Sequence, residues 1–180
     1  MYRFNERVIS YPIEELKAWK KGDKFQIPKW TEVPDEVYSQ PHYHFGEYFV
    51  LRHFSALGWR GFVNYAIGEW EPGNKKYLKG RKKIEEKIDP LKLSKIRRLR
   101  KGINGGEPDV FLYKNANEIL FLEVKKESDK ISEGQLKCLA QIYGILEADI
   151  GVVYLREETK SYRPKTYELD LENYKGRVVE

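Results

Sequence analysis

The chain has 180 residues, of which 41% are hydrophobic, 14% aromatic and 34% charged, and its mean hydropathy is −0.69. That length suits one compact domain, and 13 Tyr, 8 Phe and 4 Trp are too many apolar rings for a disordered chain. No apolar run approaches the ~20 residues that span a bilayer. The N-terminus MYRFNERVISYP lacks a basic-then-apolar leader pattern, so secretion is not expected. The single cysteine, Cys138, excludes an intramolecular disulfide and an ordinary Cys-based zinc site. A reducing, cytoplasmic or otherwise intracellular setting follows as the expectation, with no membrane partner.

The net charge of +5 is unevenly spread. Residues 1–71 carry a net −1 and residues 102–180 a net −4, whereas residues 72–101 carry 13 basic and 3 acidic groups, a net +10. A stretch so charged, PGNKKYLKGRKKIEEKIDPLKLSKIRRLRK, has the electrostatic footprint of a surface that meets a phosphate backbone. The bland alternative is a solvated helical face.

In chain order, residues 1–40 are rich in Pro and Trp, and their clearest element is the short amphipathic helix IEELKAWK. The rest of this stretch is expected to pack over the core as an N-terminal extension. From Pro41, the positions of Phe45, Phe49, Phe54 and Leu57 predict a helix that Gly58 ends. RGFVNYAIG reads as a strand. The basic insertion at 72–105 follows, as one or two helices broken at Pro90, and closes in a glycine-rich turn. PDVFLYK and EILFLEVK form a predicted hairpin around Asn115–Asn117. Ser132 and Gln135 have capping-box spacing and open a helix with Leu136, Leu139, Ala140 and Tyr143 on one face. DIGVVYL is apolar throughout, as an inner strand buried on both faces would be. The tail around Tyr167, Leu169 and Leu171 adds an edge strand. The order predicts an α/β class fold, a mixed central sheet flanked by helices.

The chemistry concentrates in Gly106-Glu107-Pro108-Asp109 and Glu123-Val124-Lys125. Alternation on a strand puts Glu123 and Lys125 on one face and Leu122 and Val124 on the other. If the hairpin closes as predicted, Asp109 and Glu123 meet at matching strand ends. Two converging carboxylates make an oxygen-rich site for a hard cation, Mg²⁺ or Mn²⁺. Lys125 beside them is placed to orient a water or to neutralise charge on a phosphate. Taken singly, Asp109 is a turn acid and Glu123–Lys125 a surface ion pair; it is the set in order that points to a site.

GEPDV, then FLEVKKESDKIS, then Gln135 resembles the VRR-NUC branch of the PD-(D/E)XK nuclease superfamily, whose members include stand-alone phage and bacterial nucleases and the Fanconi-associated nuclease catalytic domain. Gly106, Pro108, Asp109, Glu123, Lys125, Ser132 and Gln135 carry the likeness, which runs from about Gly106 to Leu155. The resemblance implies a restriction-endonuclease-like core over 41–180 and a divalent-metal-dependent DNA endonuclease. It also implies Asp109, Glu123 and the Val124 carbonyl as metal ligands, Lys125 beside the nucleophilic water and Gln135 at the rim. The first-helix acid of the family falls on Glu47, bound directly or through water. After Lys125 the family's usual Gly-Pro is replaced by Lys126-Glu127, which leaves the shape of that loop open.

On the resemblance, the partner is branched or duplex DNA, cut structure-selectively at flaps or four-way junctions, and the chain is a homodimer. Restriction-type or exonuclease activity, or a non-cutting nucleic-acid-binding module, are the alternatives. The basic stretch assigns phosphate contact to Lys75, Lys76, Lys79, Arg81, Lys82, Lys83, Arg97, Arg98, Arg100 and Lys101. Gln135 is explained as well by capping as by catalysis, and Glu47 as well by solvation. His42, His44 and His53 read as structural or DNA-contacting rather than metal ligands, and Cys138 as a small core residue. Tyr43, Tyr48 or Trp59 are candidates to stack on a splayed base.

Overall fold

The structure, a computed structural model, describes every residue except 32, 41, 69–73, 104, 116 and 180. Pro41 at the expected helix approach, Pro72, Gly73 and Asn104 of the basic insertion, and Ala116 of the hairpin turn therefore lie outside the described residues.

Two short strands, β1 (Tyr2–Asn5) and β2 (Arg7–Tyr11), lead into helices α1 (Ile13–Lys20), α2 (Asp35–Ser39) and α3 (Phe45–Ala56). Strand β3 (Arg60–Phe62) precedes the basic helices α4 (Leu78–Lys87) and α5 (Pro90–Leu99), with a 3₁₀ turn at Lys75–Tyr77 before them. The hairpin β4 (Val110–Lys114) and β5 (Glu118–Lys126) comes next, then α6 (Glu133–Gln141), whose last turn widens into π geometry over Ile142–Leu146. Strand β6 (Asp149–Glu157) and the pair β7 (Thr166–Asp170) and β8 (Lys175–Val178) complete the chain.

Strands β2, β6, β5, β4 and β3, in that order, form one mixed sheet. β6 lies parallel to both β2 and β5, whereas β5, β4 and β3 are antiparallel neighbours. The apolar run of β6 is thus an inner strand, as its composition requires, because water reaches neither face. Alternation along β5 splits the core in two. Leu120 and Leu122 face Trp19, Phe45, Phe49 and Leu51 on the α1–α3 side. Phe121 faces Ile84, Ile96, Leu139 and Phe111 on the α4–α6 side.

Three segments depart from the sequence reading. Residues 2–5 and 7–11 are strands built into the sheets rather than an extension laid over the core: β2 joins the main sheet, and β1 pairs with β7 in a second sheet of order β1-β7-β8. Their short, mixed-polarity sequences carry no clear period, since each is only partly buried. The tail strand β7 is the middle of that second sheet rather than an edge. RGFVNYAIG keeps strand form only over Arg60–Phe62. Beyond it, main-chain groups of residues 67–68 bond to side chains rather than to a neighbouring strand.

Pro90 stands at the first turn of α5, where its missing N–H costs nothing, and Asp89 caps that helix by accepting from Leu91 and Lys92 N–H at 2.8 and 3.1 Å. Phe121 is wholly buried and stacks on Phe111 with ring centroids 5.1 Å apart. Phe121→Ala should therefore lower stability by about 3–5 kcal/mol, the usual cost of an unfilled aromatic void; urea unfolding measures it.

Candidate active site

The hairpin register decides where the acids meet. Val110 pairs with Leu122, so one step further along Asp109 and Glu123 stand level on adjacent strands. Asp109 fastens that level, its Oδ2 accepting the Val124 N–H at 2.8 Å. Glu123 and Lys125 follow Phe121 on the face turned to α6, and they are only 1% and 9% exposed. A charged pair buried so deeply demands partners.

The partners come from each other and from the start of α6. Lys125 Nζ lies 2.7 Å from Glu123 Oε1. Gln135 Nε2 donates to the same carboxylate oxygen at 2.5 Å, while Gln135 Oε1 accepts from Lys125 Nζ at 3.2 Å and from the Ser132 N–H at 2.9 Å. Ser132 Oγ in turn accepts the Gln135 N–H at 3.2 Å, which completes the capping box. Gln135 is thus cap and site residue at once: the helix start is anchored by the group that orients Glu123 and Lys125.

Glu123 Oε2 is buried and receives no N–H donor, and the polar group beside this carboxyl is that of Asp109, with which it can share a proton. Burial, first of all, pushes the Glu123 carboxyl up to about 9, with the neighbouring Asp109 charge adding to it and Lys125 opposing. Burial likewise pushes Asp109 up to about 6, against the Val124 N–H bond that favours its charged form and with the Glu47 charge raising it further. An ammonium at 2.7 Å therefore does not offset desolvation plus a second acid.

Glu47 sits in the first turn of α3. Gly46 beside it allows the close approach, since a Cβ there would lie 3.3 Å from both Val124 Cγ1 and Leu155 Cδ1. Glu47 Oε1 is 3.2 Å from Nδ1 of His44, whose φ of +66° is unusual for a non-glycine residue. That bond is the main reason the His44 imidazole is raised from its ordinary value. His44, Glu47 and Asp109 line one cleft of about 560 Å³, together with Tyr65, Tyr77 and Glu107. His42 and His53 are exposed.

Among the described residues no three His, Cys, Asp or Glu side chains cluster as a metal-binding group. The carboxylates that the hairpin brings level are those of Asp109 and Glu123. A hard cation that takes one or two carboxylates and fills its shell with water and phosphate suits such a pair, and Glu123 Oε2, which receives no N–H donor, is the oxygen available to it. Cys138 is fully buried, and burial pushes its thiol up to about 12, as befits an inert core residue.

The basic residues divide by which way they point. Lys75, Lys79, Lys82, Arg98 and Lys101 are exposed. Lys76 pairs with Glu36 at 2.8 Å and Lys83 with Glu86 at 2.5 Å. Arg81 and Arg97 donate inward to the carbonyls of Gly68 and Ile67 at 3.0 and 2.9 Å, and both meet Glu85. Arg100 is a correction to the expected phosphate surface: at 2% exposure it is a core group. The sequence held the signal, because Leu93, Ile96 and Arg100 share one helical stripe.

Of the candidate stacking rings, Tyr48 is buried, Trp59 packs edge-on to Phe54 at 6.4 Å, and Tyr43 stands 64% exposed beside His44. Sequence reasoning missed Glu107, whose two oxygens accept the N–H groups of Ile67 and Gly68 at 3.0 and 2.8 Å. Only its place inside the Gly-x-Pro-Asp run hinted at it.

The raised Glu123 carboxyl has a signed consequence for stability. Below its ordinary value of 4.5 it is protonated whether the chain is folded or not. Between there and about 9 the unfolded chain ionises and the folded one resists, so stability falls as pH rises through that window. In chelator-treated protein Glu123→Gln should flatten the fall and raise the melting temperature at pH 8 while leaving it little changed at pH 4; thermal denaturation across pH tests this.

Residues 74–155 match a family model described as the VRR-NUC domain. The match takes in α4 and α5, which the likeness seen in the sequence did not reach, and it ends within β6 at Leu155. No curated protein and no solved structure matches the chain.

Proposed function

We propose, from the match of residues 74–155 to the VRR-NUC domain, a divalent-metal-dependent DNA endonuclease, selective for branched DNA such as flaps or four-way junctions. The observation that supports it most is the half-buried Asp109 level with the buried Glu123 beside Lys125, with no N–H donor to Glu123 Oε2. A structural ion pair would not need the second carboxylate, which raises the cost of ionising Glu123.

Asp109 and Glu123, with the Val124 carbonyl, are the groups that would hold Mg²⁺ or Mn²⁺, and Glu47 would reach it directly or through water. When bound, the ion would supply Lewis-acid charge to the scissile phosphate and its attacking water. Lys125, steadied by Glu123 and Gln135, is positioned to orient that water and to meet the negative charge that builds on phosphorus. Water adds to phosphorus in line, the bond to the 3′ oxygen breaks, and a 5′-phosphate remains. Exposed lysines on α4 and around it would hold the backbone of the DNA. Two copies in a homodimer would offer one site to each strand.

Glu123→Ala and Lys125→Ala should each reduce cleavage in Mg²⁺ or Mn²⁺ by about 10³-fold or more, as loss of a principal charge-stabilising group does, with DNA affinity little changed. Matched-sequence flaps, junctions and linear duplexes on a denaturing gel read both cutting and preference. Retained cutting by Glu123→Ala defeats the site, and equal rates on all substrates defeat structure selectivity. Replacing Lys75, Lys82 and Lys101 by Gln should weaken binding on every substrate and lower the slope of log K against log salt by about 2–3, near 0.9 per lost phosphate contact. A titration series in salt gives that slope.

A further inference from the structure

The turn that carries Asp109 has little stiffness of its own. Gly105 and Gly106 both adopt positive φ, +85° and +75°, a shape glycine takes easily and also leaves easily. Gly106 meanwhile lies against α6, where a Cβ would come within 3.1 Å of the Gly134 carbonyl oxygen. One residue further along α6 is Gln135, the group that fixes Glu123. A small slide of this turn would therefore change how Asp109 meets Glu123.

Braces surround the turn. Arg100, at the end of α5, donates from Nη2 to the Gly105 carbonyl at 2.7 Å and from Nη1 to Oε1 of the buried Gln141 at 3.3 Å. Its Nε stands 3.9 Å from Glu107 Oε1 and is buried without a hydrogen-bond partner. Glu107 holds the N–H groups of Ile67 and Gly68, Arg97 and Arg81 hold their carbonyls, and the Tyr65 hydroxyl donates to the Pro108 carbonyl. The turn is thus pinned at residues 105, 107 and 108, immediately before Asp109.

We propose that Arg100 is a positioning residue: its buried fork, with Glu107, sets the Gly105–Asp109 turn so that Asp109 meets Glu123 at the spacing one divalent ion requires. This rests on the metal-dependent reading above. Stability alone gives a weak reason for the residue. A buried, incompletely paired guanidinium is commonly replaced by an apolar side chain of similar volume at no loss of stability, and sometimes with a gain. What an apolar side chain cannot supply is a directional bond to Gly105. The planar fork is equally beyond lysine, which has one compact donor head.

The test is calorimetric titration of MnCl₂ into the full chain without DNA, paired with thermal denaturation. Arg100→Met should remain folded with a melting temperature near that of the parent, yet bind Mn²⁺ about 10–100-fold more weakly, the range typical for removing a group that orients a metal ligand. Glu107→Gln should weaken Mn²⁺ in the same direction. Leu16→Ala, in the core on the opposite face of the sheet, should lower the melting temperature and leave Mn²⁺ affinity unchanged. If Arg100→Met fails to fold, Arg100→Lys, which keeps the charge and loses the fork, provides the comparison. Folded Arg100 variants that bind Mn²⁺ as the parent does overturn the inference and leave the nuclease reading intact, as does an equal loss of affinity in Leu16→Ala. A parent that takes up no Mn²⁺ overturns the metal-dependent reading, and the inference with it.

Discussion

Everything around the site answers to one unfavourable contact: the half-buried carboxyl of Asp109 and the fully buried carboxyl of Glu123, held level on neighbouring strands beside the one ammonium of Lys125. The β4–β5 register brings the two acids level, because a slip of one residue would exchange the two packed faces of β5. The apolar alternation of β5 therefore holds the acids together: Leu120, Phe121 and Leu122 are buried on both faces, and their packing fixes where Glu123 must lie. Repulsion between the acids is local and costly; the packing that imposes it is extensive. Core packing wins: burial is the first cause of both raised carboxyls, with the Asp109 charge adding to it at Glu123 and the Glu47 charge at Asp109.

The same economy explains how the basic helices are built. Arginines and lysines in this stretch are not interchangeable charges. Arg81, Arg97 and Arg100 turn inward, where a planar fork can serve main-chain carbonyls of loops that have no strand partner. Lys75, Lys79 and Lys82 stay outside, where a flexible stem tolerates a mobile anion. One helical pair thus stitches the cleft wall from within and presents positive charge from without. Net charge alone, summed along the sequence, conceals this division.

That division also marks how far the sequence could be read. Helix α1, the end of α3 near Gly58, the break at Pro90, the β4–β5 hairpin, the capping box at Ser132 and the buried strand β6 were legible because each has its own local signal: a stop residue, a cap, or a period. The level placement of Asp109 and Glu123 followed from hairpin arithmetic. Strands β1 and β2 were not legible, since their partners β7 and β6 lie about the whole chain away and only tertiary pairing makes them strands. Arg100 was misread because its charge was weighed before its helical stripe. Glu107 had only its place in the Gly-x-Pro-Asp run to mark it, and residues 67–68 read as strand, as a side chain that satisfies distant main-chain groups leaves no periodic trace.

The loop after β5 shows the same long-range dependence. Where the nuclease pattern that this stretch resembles has Gly-Pro, this chain has Lys126-Glu127, and Glu127 takes a positive φ of +54° that a non-glycine residue adopts only at some cost. A proline would have stiffened the bend from inside. Here stiffness comes from outside: the Glu127 carbonyl accepts from the Tyr154 hydroxyl at 3.0 Å, and Tyr154 stacks flat on Tyr162 at 3.4 Å. Tyr162 in turn donates to the buried carboxylate of Glu6 at 2.6 Å, which also accepts from the Tyr167 hydroxyl at 2.8 Å and the Lys165 N–H at 3.1 Å. The bend that follows Lys125 is therefore held through a relay that ends between β1 and β2. Residues outside the matched family segment shape the strand that bears the acid and the lysine, which is why the first six residues belong to the physics of the site although none of them lies in it.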